Sequence, residues 1–244
     1  MPAPSAGGEA GTPGSCAVQV AGETLVLRAD RTAFWPRAGW LLVADVHVGK
    51  AESLRRDGVA LPAAVLAADL DRLAAAVRAT AAARVLVLGD LVHDAHGVTP
   101  EVRARVAHWR AAVDAEVSLV PGNHDRRAGV LPEEWRIARA AVEEVAPPFV
   151  FSHDRLASAG AFNWHGHLHP ALVVRRGPDA LKLPCFVLGP RHGVLPAFSG
   201  LAGGMVVPRA PGERRFVVAA DHVLAVGRGA GGGPRGLVPL SPRD

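Results

Sequence analysis

Tyrosine is absent from this chain of 244 residues, and cysteine and lysine occur only twice each. Cys16 and Cys185 lie far apart and form no metal-binding or redox pair by spacing, so we expect a reduced protein of the cytoplasm. No run approaches the about 18 consecutive apolar residues of a membrane span. Residues 1–16 lack a charged beginning and an apolar stretch, so we predict a disordered leader and not a signal peptide.

Length and composition favour one folded domain. Apolar residues make up 49% of the chain, which is enough for a sizeable core. The last residues, 228–244, are rich in Gly, Pro and Arg, and we predict a disordered tail there. The single domain is therefore predicted to span residues 17–227, and membrane association is not expected.

The cations are nearly all arginine. The formal net charge is +4, and of the 27 basic residues only Lys50 and Lys182 are lysine. The arginine fork matches the geometry of phosphate, so an anionic polymer is one explanation. A GC-rich genome that encodes arginine in place of lysine explains the bias equally well.

The first half alternates strand and helix patterns. Short apolar runs at 40–44, 84–88 and 116–120 predict buried strands, and residues 25–36 predict an opening strand or hairpin. Helical spacing is found at 62–78 and 100–113, each with proline in the first turn. This alternation predicts an α/β layered fold, in which ligands bind beyond the carboxyl ends of the strands.

The second half is dominated by strand patterns. Residues 149–151, 161–164, 171–175, 181–188 and 215–226 are predicted strands separated by Gly and Pro turns. Because few helices intervene, we predict a second, mostly antiparallel sheet.

Five short motifs follow the apolar runs and carry the chemistry of the chain. They are Asp45-Val46-His47, Gly89-Asp90, Gly122-Asn123-His124-Asp125, Ser152-His153 and Gly166-His167-Leu168-His169. Carboxylates, an amide and imidazoles in this number form the ligand set of a two-metal hydrolase. Two divalent ions a few ångström apart clamp the oxygens of an in-line phosphoryl displacement and activate water. The series therefore predicts phosphoester hydrolysis.

Single motifs carry less weight than the series. Asp45 and His47 are two residues apart at a strand end and can face the same side, although a surface loop pair has the same spacing. Asp90 offers two oxygens that can bridge two ions. His153 alone is weak evidence, because a single histidine at a strand end is usually structural.

The Gly-Asn-His-Asp motif supplies the groups that act beside the metals. Asn123 can offer its amide oxygen to an ion, and His124 is placed to donate a proton to the leaving alkoxide. Asp125 is predicted to hydrogen-bond an imidazole and set its tautomer. His93 is a candidate for substrate binding, for support of a ligand, or for a solvated loop histidine.

The five motifs, in this order, resemble the calcineurin-like metallophosphoesterase superfamily over residues 40–170. The resemblance implies a four-layer αββα sandwich of two mixed sheets with the di-metal site at one edge. It implies that one ion is held by Asp45, His47, Asp90 and His169. It implies that the other is held by Asp90, Asn123, His153 and His167, with His124 as the general acid.

Longer segments are similar to the PdeM subfamily of bacterial ligase-associated DNA damage response endonucleases. They are residues 40–56, 88–93, 166–170, 183–186 and 194–198. The similarity implies a nuclease for single-stranded DNA that uses two divalent metal ions. The expected metal is Mn²⁺, and Fe or Zn are the alternatives. It implies a repair system with a DNA ligase, a helicase and a β-CASP exonuclease.

Two features depart from this subfamily. Asp154-Arg155 follows the ligand His153 where Glu or His and then Pro are expected, which affects substrate contacts more than metal binding. The lack of tyrosine removes one usual base-stacking side chain, so Trp or Phe has to replace it.

Basic residues after two of the motifs are candidates for gripping substrate phosphates. Lys50, Arg55 and Arg56 follow the first motif on a predicted loop, and Arg126 and Arg127 follow the general acid. Taken singly, each is equally well explained as part of a solvated basic rim.

Other functions remain open at this point. A small-molecule phosphatase or a cyclic-nucleotide phosphodiesterase uses the same metals. The shape of the site separates these functions, because a long basic groove favours a polymeric substrate and a capped pocket favours a small one. A non-catalytic scaffold is disfavoured because neither a ligand nor the acid is missing. A purely nucleic-acid-binding module does not explain the ligand series.

Overall fold

The computed structural model describes residues 14–62, 64–156, 160–176 and 178–227. The apolar runs of the first half form part of a seven-stranded sheet whose strands lie in chain order. Its strands are β1 (Ser15–Val20), β2 (Glu23–Arg28), β3 (Ala33–Trp35), β4 (Trp40–Val43), β5 (Arg84–Leu88), β6 (Glu116–Val120) and β7 (Ala138–Arg139). Strands β4 to β7 are parallel, so the carboxyl ends of β4, β5 and β6 lie along one edge.

Helices connect these parallel strands. They are α1 (Lys50–Arg56), α2 (Val65–Thr80), α3 (Pro100–Ala112) and α4 (Asn123–Ala128). The two longer helices were predicted, and α3 begins as its sequence indicates, with Thr99 as the N-cap and Pro100 in the first turn. Helix α1, predicted as a loop, has no side-chain cap and begins after Gly49 in a left-handed conformation, so the usual start pattern is missing.

The second half forms a nine-stranded mixed sheet, as predicted. Its strands are β8 (Glu143–Ala146), β9 (Phe149–Ser152), β10 (Phe162–His165), β11 (Pro170–Arg176), β12 (Asp179–Leu188), β13 (His192–Val194), β14 (Met205–Val206), β15 (Arg214–Ala219) and β16 (His222–Ala225). Most pairs are antiparallel, but β10 is parallel to its neighbours β9 and β13, and β11 is parallel to β14. The strand predicted over 215–226 is instead a hairpin, because the chain turns at Ala220, which has a positive φ.

Alternating side chains place one large apolar core between the sheets. Leu42, Leu86 and Leu88 of the first sheet pack with Phe151 and other aromatic residues of the second. The opposite face of the first sheet packs on α2 and α3 through a separate core that contains Leu70 and Val106.

The second sheet also has an outer face, which points away from the first sheet. Cys185, Val187 and Val217 form a small apolar cluster there. Among the described residues no helix covers this face, so their layers are helix, sheet, sheet.

The end of the predicted leader, residues 1–16, overlaps the first strand. Strand β1 begins at Ser15, so Cys16 belongs to the sheet and pairs with Leu27. Residues 1–13 and 228–244, predicted to be disordered, lie outside the described residues. Among the described helices, none is both long and apolar enough to cross a membrane.

Candidate metal centre

The residues that directly follow several strands of both sheets lie close together in space. Asp45 and Asp90 come after the parallel strands β4 and β5, and His153 follows β9 of the other sheet. The loop after β10 carries His167 and His169. These side chains form two neighbouring groups of ligand atoms, as the sequence predicts.

The first group consists of Asp45, His47 and His169, whose ligand atoms lie within 4.8 Å of one another. His169 Nε2 is 3.3 Å from Asp45 Oδ1 and 3.4 Å from His47 Nε2. Asp45 is fully buried and His47 nearly so. These residues match three of the four ligands predicted for one ion.

The second group consists of Asp90, His153 and His167. His153 Nε2 is 3.0 Å from His167 Nδ1 and 3.5 Å from Asp90 Oδ2. Asn123 Oδ1 is 3.0 Å from the same Nε2 atom. All four predicted ligands of the second ion are therefore together, while the sharing of Asp90 between both ions stays a prediction.

The donor set fits divalent cations. His153 donates its Nδ1 hydrogen to the Leu88 carbonyl oxygen at 3.1 Å, which leaves a lone pair on Nε2. That lone pair faces oxygens of Asn123 and Asp90. Acceptors that converge in this way repel one another unless a cation lies between them. Imidazole and carboxylate ligands suit Mn, Fe or Zn better than Ca.

Burial keeps His47 neutral and able to bind metal. The pKa of His47 is lowered to about 2, mainly by desolvation and then by the nearby charge of Lys50. A neutral imidazole offers a nitrogen lone pair at every physiological pH.

The backbone at the ligands is unusual. Asp45, His47, Asp90, His167 and His169 all have φ between 44° and 67°, a region that non-glycine residues seldom adopt. Such residues persist only where their surroundings hold them. Asp45 N–H donates to Gly89 O at 3.0 Å and His47 N–H donates to Asp90 O at 2.9 Å, so the first two motif loops hold each other in place.

At two motif glycines there is no room for a side chain. A Cβ at Gly89 would lie 2.0 Å from His153 Nδ1, and Gly89 also has a positive φ. A Cβ at Gly122 would lie 2.1 Å from Asp90 Oδ1. The glycines therefore let a ligand of one motif pack directly on the backbone of another.

His124 stands beside the ligands, as predicted for the acid. Its backbone N–H donates to Asp90 Oδ1 at 3.0 Å, and its Nε2 is 4.0 Å from Asp90 Oδ2. Its Nδ1 hydrogen bonds to the carbonyl oxygen of His93 at 2.6 Å. The His93 ring stacks on the His124 ring with centroids 4.8 Å apart, so His93 also lies at the centre.

Asp125 was predicted to hydrogen-bond an imidazole, and this prediction is wrong. Its fully buried carboxylate accepts the backbone N–H groups of Val92 and Gly122, each at 2.9 Å, and no imidazole. Asp125 thus joins the second and third motif loops, and the tautomer of His124 is set by a main-chain carbonyl. A carboxylate can accept hydrogen bonds from backbone N–H groups wherever two loops meet. The position of Asp125 in its motif does not reveal that a second loop lies there.

The predicted phosphate-binding residues divide into two kinds. Lys50 interacts electrostatically with Asp45 and Asp90 at the centre. Arg55 instead donates to the carbonyls of Leu61 and Pro62, and pairs with Glu52 at 3.0 Å.

Of the other basic residues, Arg126 donates to Pro121 O at 2.8 Å and so supports its own turn. Arg56 and Arg127 are exposed and belong to helices and not to a loop.

Two supporting residues were not predicted. Asn163 is buried in β10, where its amide donates to Ser152 Oγ at 2.8 Å and its oxygen accepts Leu156 N–H at 2.9 Å, which holds the loop of His153. The sequence did contain one indication of this role: Asn163 is a single polar residue within an apolar strand pattern, and a buried polar side chain needs hydrogen-bond partners. Asp154, which departs from the subfamily, has Oδ1 3.6 Å from His167 Nε2, the ring nitrogen that points away from His153.

Comparison with known proteins agrees with this geometry. The family model described as calcineurin-like phosphoesterase matches residues 41–183. The crystal structure of Pseudomonas putida nuclease MPE is similar, with 31% identity, a TM-score of 0.76, and coverage of 86% of this chain and 100% of that one.

A phosphoesterase from E. coli, Yfce, matches at 13% identity over 77% of this chain and 91% of its own. With a TM-score of 0.35, it carries no weight for the site. No curated protein matches the sequence. On the family match, the fold and the paired ligand groups, the chain belongs to the calcineurin-like phosphoesterases and is a phosphoesterase with a metal-binding site.

Proposed function

We propose that this protein is a manganese-dependent phosphodiesterase that cuts single-stranded DNA internally, within a bacterial DNA repair system. The observation that carries the proposal is the pair of ligand groups with His124 beside them at an open edge of both sheets. The similar structure from Pseudomonas putida is that of a nuclease, which supports a nucleic acid as the substrate.

The openness of the centre favours a polymer. The side chains of His124 and His167 are 29% and 44% exposed, so substrate reaches the centre from the side and not through a closed pocket. Arg56, Arg127 and Arg155 are exposed cations on segments that adjoin the ligand motifs. A long chain of phosphates can cross such an edge, whereas a small phosphoester gains little from distant cations.

Each side chain has a proposed role. Bound divalent ions supply a nucleophile near neutral pH and stabilise charge on the phosphoryl oxygens. Lys50, close to the ligand carboxylates, adds positive charge where the scissile phosphate lies. His124 holds a proton on Nε2 and gives it to the departing oxygen, because its Nδ1 is already committed to the His93 carbonyl.

The cellular setting belongs to the same proposal. We propose that the protein acts in the cytoplasm with a DNA ligase, a helicase and a β-CASP exonuclease, as the resemblance of its motifs implies. Its two cysteines are far apart in sequence, which suits a reducing compartment.

The test is cleavage of end-labelled single-stranded DNA with added Mn²⁺, by wild type and His124→Ala, beside a small phosphodiester. Internal cuts by wild type that the variant does not make would support the nuclease and the acid together. Turnover of the small diester with intact DNA would assign the site to a small-molecule phosphodiesterase. Absence of both activities, with metal bound, would favour a scaffold.

A further inference from the structure

We propose that a cavity beside His169 is a subsite for the nucleotide that flanks the scissile bond, and that Lys182 and Arg31 neutralise its phosphate. This inference rests on the proposed function and specifies how a polynucleotide is held. The cavity has a volume of about 220 Å³ and shares His169 with the metal centre. A bound chain that crosses the centre can therefore enter it without a break.

The charge of the cavity suits a phosphate. Arg31 and Lys182 both line it, and its described lining residues include no carboxylate. Within the described residues neither cation has a carboxylate at ion-pair distance, although Asp69 attracts Arg31 from farther away, and Lys182 is exposed. The nearby Arg72, by contrast, is paired with Asp69 at 3.0 Å. Cations that no carboxylate contacts directly are available to attract an anion.

The other walls suit the remainder of a nucleotide. Pro170 and Pro184 provide apolar surface, and Gly203 provides a wall without a side chain. The volume is below the about 300 Å³ at which pockets for drug-sized ligands begin. A single base or sugar with its phosphate is the unit that such a space accepts.

The wall of the cavity is fixed to the metal centre. Phe198 and Ser199 donate backbone hydrogen bonds to the carbonyls of Ala44 and Asp45, at 2.9 and 3.2 Å. Farther along, Met205 N–H donates to His169 O at 2.8 Å. The segment that includes Gly203 is thus held at both ends by the backbone of metal-ligand loops, so the cavity and the centre keep a constant separation.

Strand pairing brings Lys182 to this place. Strands β11 and β12 form an antiparallel pair in which Ala171 faces Pro184 and Val173 faces Lys182. Lys182 and Pro184 are two residues apart on β12 and therefore point to the same face. The pairing sets the lysine beside the chain that leaves His169, although the two residues are 13 positions apart.

Arg31 acts mainly by position. Its guanidinium donates to the carbonyls of Phe198 and Ser199 at 3.4 and 3.2 Å, so the charge lies against the cavity wall. Arg31 is partly buried, and burial followed by the charge of Arg72 lowers its pKa, while Asp69 opposes this shift. Since its loss would also loosen the wall, Lys182 is the cleaner residue to test.

The experiment compares Lys182→Ala and Gly203→Phe with wild type on a labelled single-stranded oligonucleotide and on bis(p-nitrophenyl) phosphate. Gly203 lines the cavity and a Cβ there meets no atom within 4 Å, so a phenyl group can be added beside the cavity without a clash at the backbone. For Lys182→Ala we expect KM for the oligonucleotide to rise roughly five- to tenfold and the slope of log KM against log salt to fall by about 0.7. Gly203→Phe is expected to raise KM with little change of salt slope.

Arg105→Ala is the matched control, because Arg105 is an exposed cation of helix α3. It should leave KM and salt slope as in wild type. Wild-type KM and slope in both test variants, with oligonucleotide cleavage intact, would overturn the subsite but leave the nuclease standing. Wild type that hydrolyses only the small diester would overturn the nuclease and the subsite together.

Discussion

The Nδ1 hydrogen of His124 is donated to the main-chain carbonyl of His93 at 2.6 Å, which fixes the orientation of the proposed general acid. The carbonyl can only accept, so Nε2 is the ring atom left for chemistry. This atom lies 4.0 Å from Asp90 Oδ2, beside the second ligand group. The orientation of the proton donor is thus set by the loop that follows Asp90, through the carbonyl group and the stacked ring of His93.

His124→Asn tests the acid without removing the bond to His93, because an asparagine amide nitrogen can occupy the place of Nδ1. We expect the rate of DNA cleavage to fall roughly 10²- to 10⁴-fold with unchanged metal content. The loss should be much smaller with a nitrophenyl leaving group, which departs without a proton. Equal losses on both substrates would show that His124 only shapes the site.

Asp90→Asn should lose metal as well as activity, because a neutral amide replaces a buried carboxylate among imidazole ligands. We expect bound metal, measured by mass spectrometry of the purified protein, to fall by about one equivalent or more. A chelator should lower the Tm of wild type and have less effect on this variant. Asp71→Asn, at an exposed position of α2, is the control and should bind metal normally.

Gly122→Ala should disturb the metal centre by a steric clash alone. Gly122 has φ −83°, which alanine tolerates, but the added methyl group would lie 2.1 Å from Asp90 Oδ1. We expect a loss of about 1–3 kcal/mol in the free energy of unfolding, measured with urea, and weaker metal binding. Gly160→Ala, where a Cβ meets no atom within 4 Å, should have neither effect. Normal metal affinity in Gly122→Ala would contradict the close packing of these loops.

His192 is expected to make stability depend on pH. Burial lowers its pKa below the ordinary 6.5, and its ring stacks on that of His165 with nearby Arg155 opposing protonation and Glu213 favouring it. As pH falls through 6.5, the unfolded chain binds a proton before the folded one, so stability falls.

We therefore expect the urea-unfolding free energy of wild type to decrease more steeply between about pH 7 and 5 than that of His192→Asn, because asparagine binds no proton. The exposed His108→Asn is the control and should follow wild type. Parallel curves for wild type and His192→Asn would contradict the shift.

The residues that end each apolar run could be predicted from sequence because strand and ligand are adjacent in the chain. Strands β4, β5 and β6 and the following Asp45, Asp90 and Asn123 are continuous stretches, and their spacing alone indicates a shared edge. Helix α1 and the hairpin of β15 and β16 were not predicted, since the first lacks a side-chain cap and the second turns at an alanine.

The candidate metal ligands and their order, the strands that carry them and the phosphoesterase chemistry could all be predicted from the sequence itself. Only the tertiary structure decided that Asp125 binds backbone, that Arg55 is occupied by its own loop, and that Lys182 lines the same cavity as His169. Residue type shows which bonds a side chain can form. Which partner it finds depends on where distant loops meet, because backbone N–H and C=O groups compete for every polar side chain within reach.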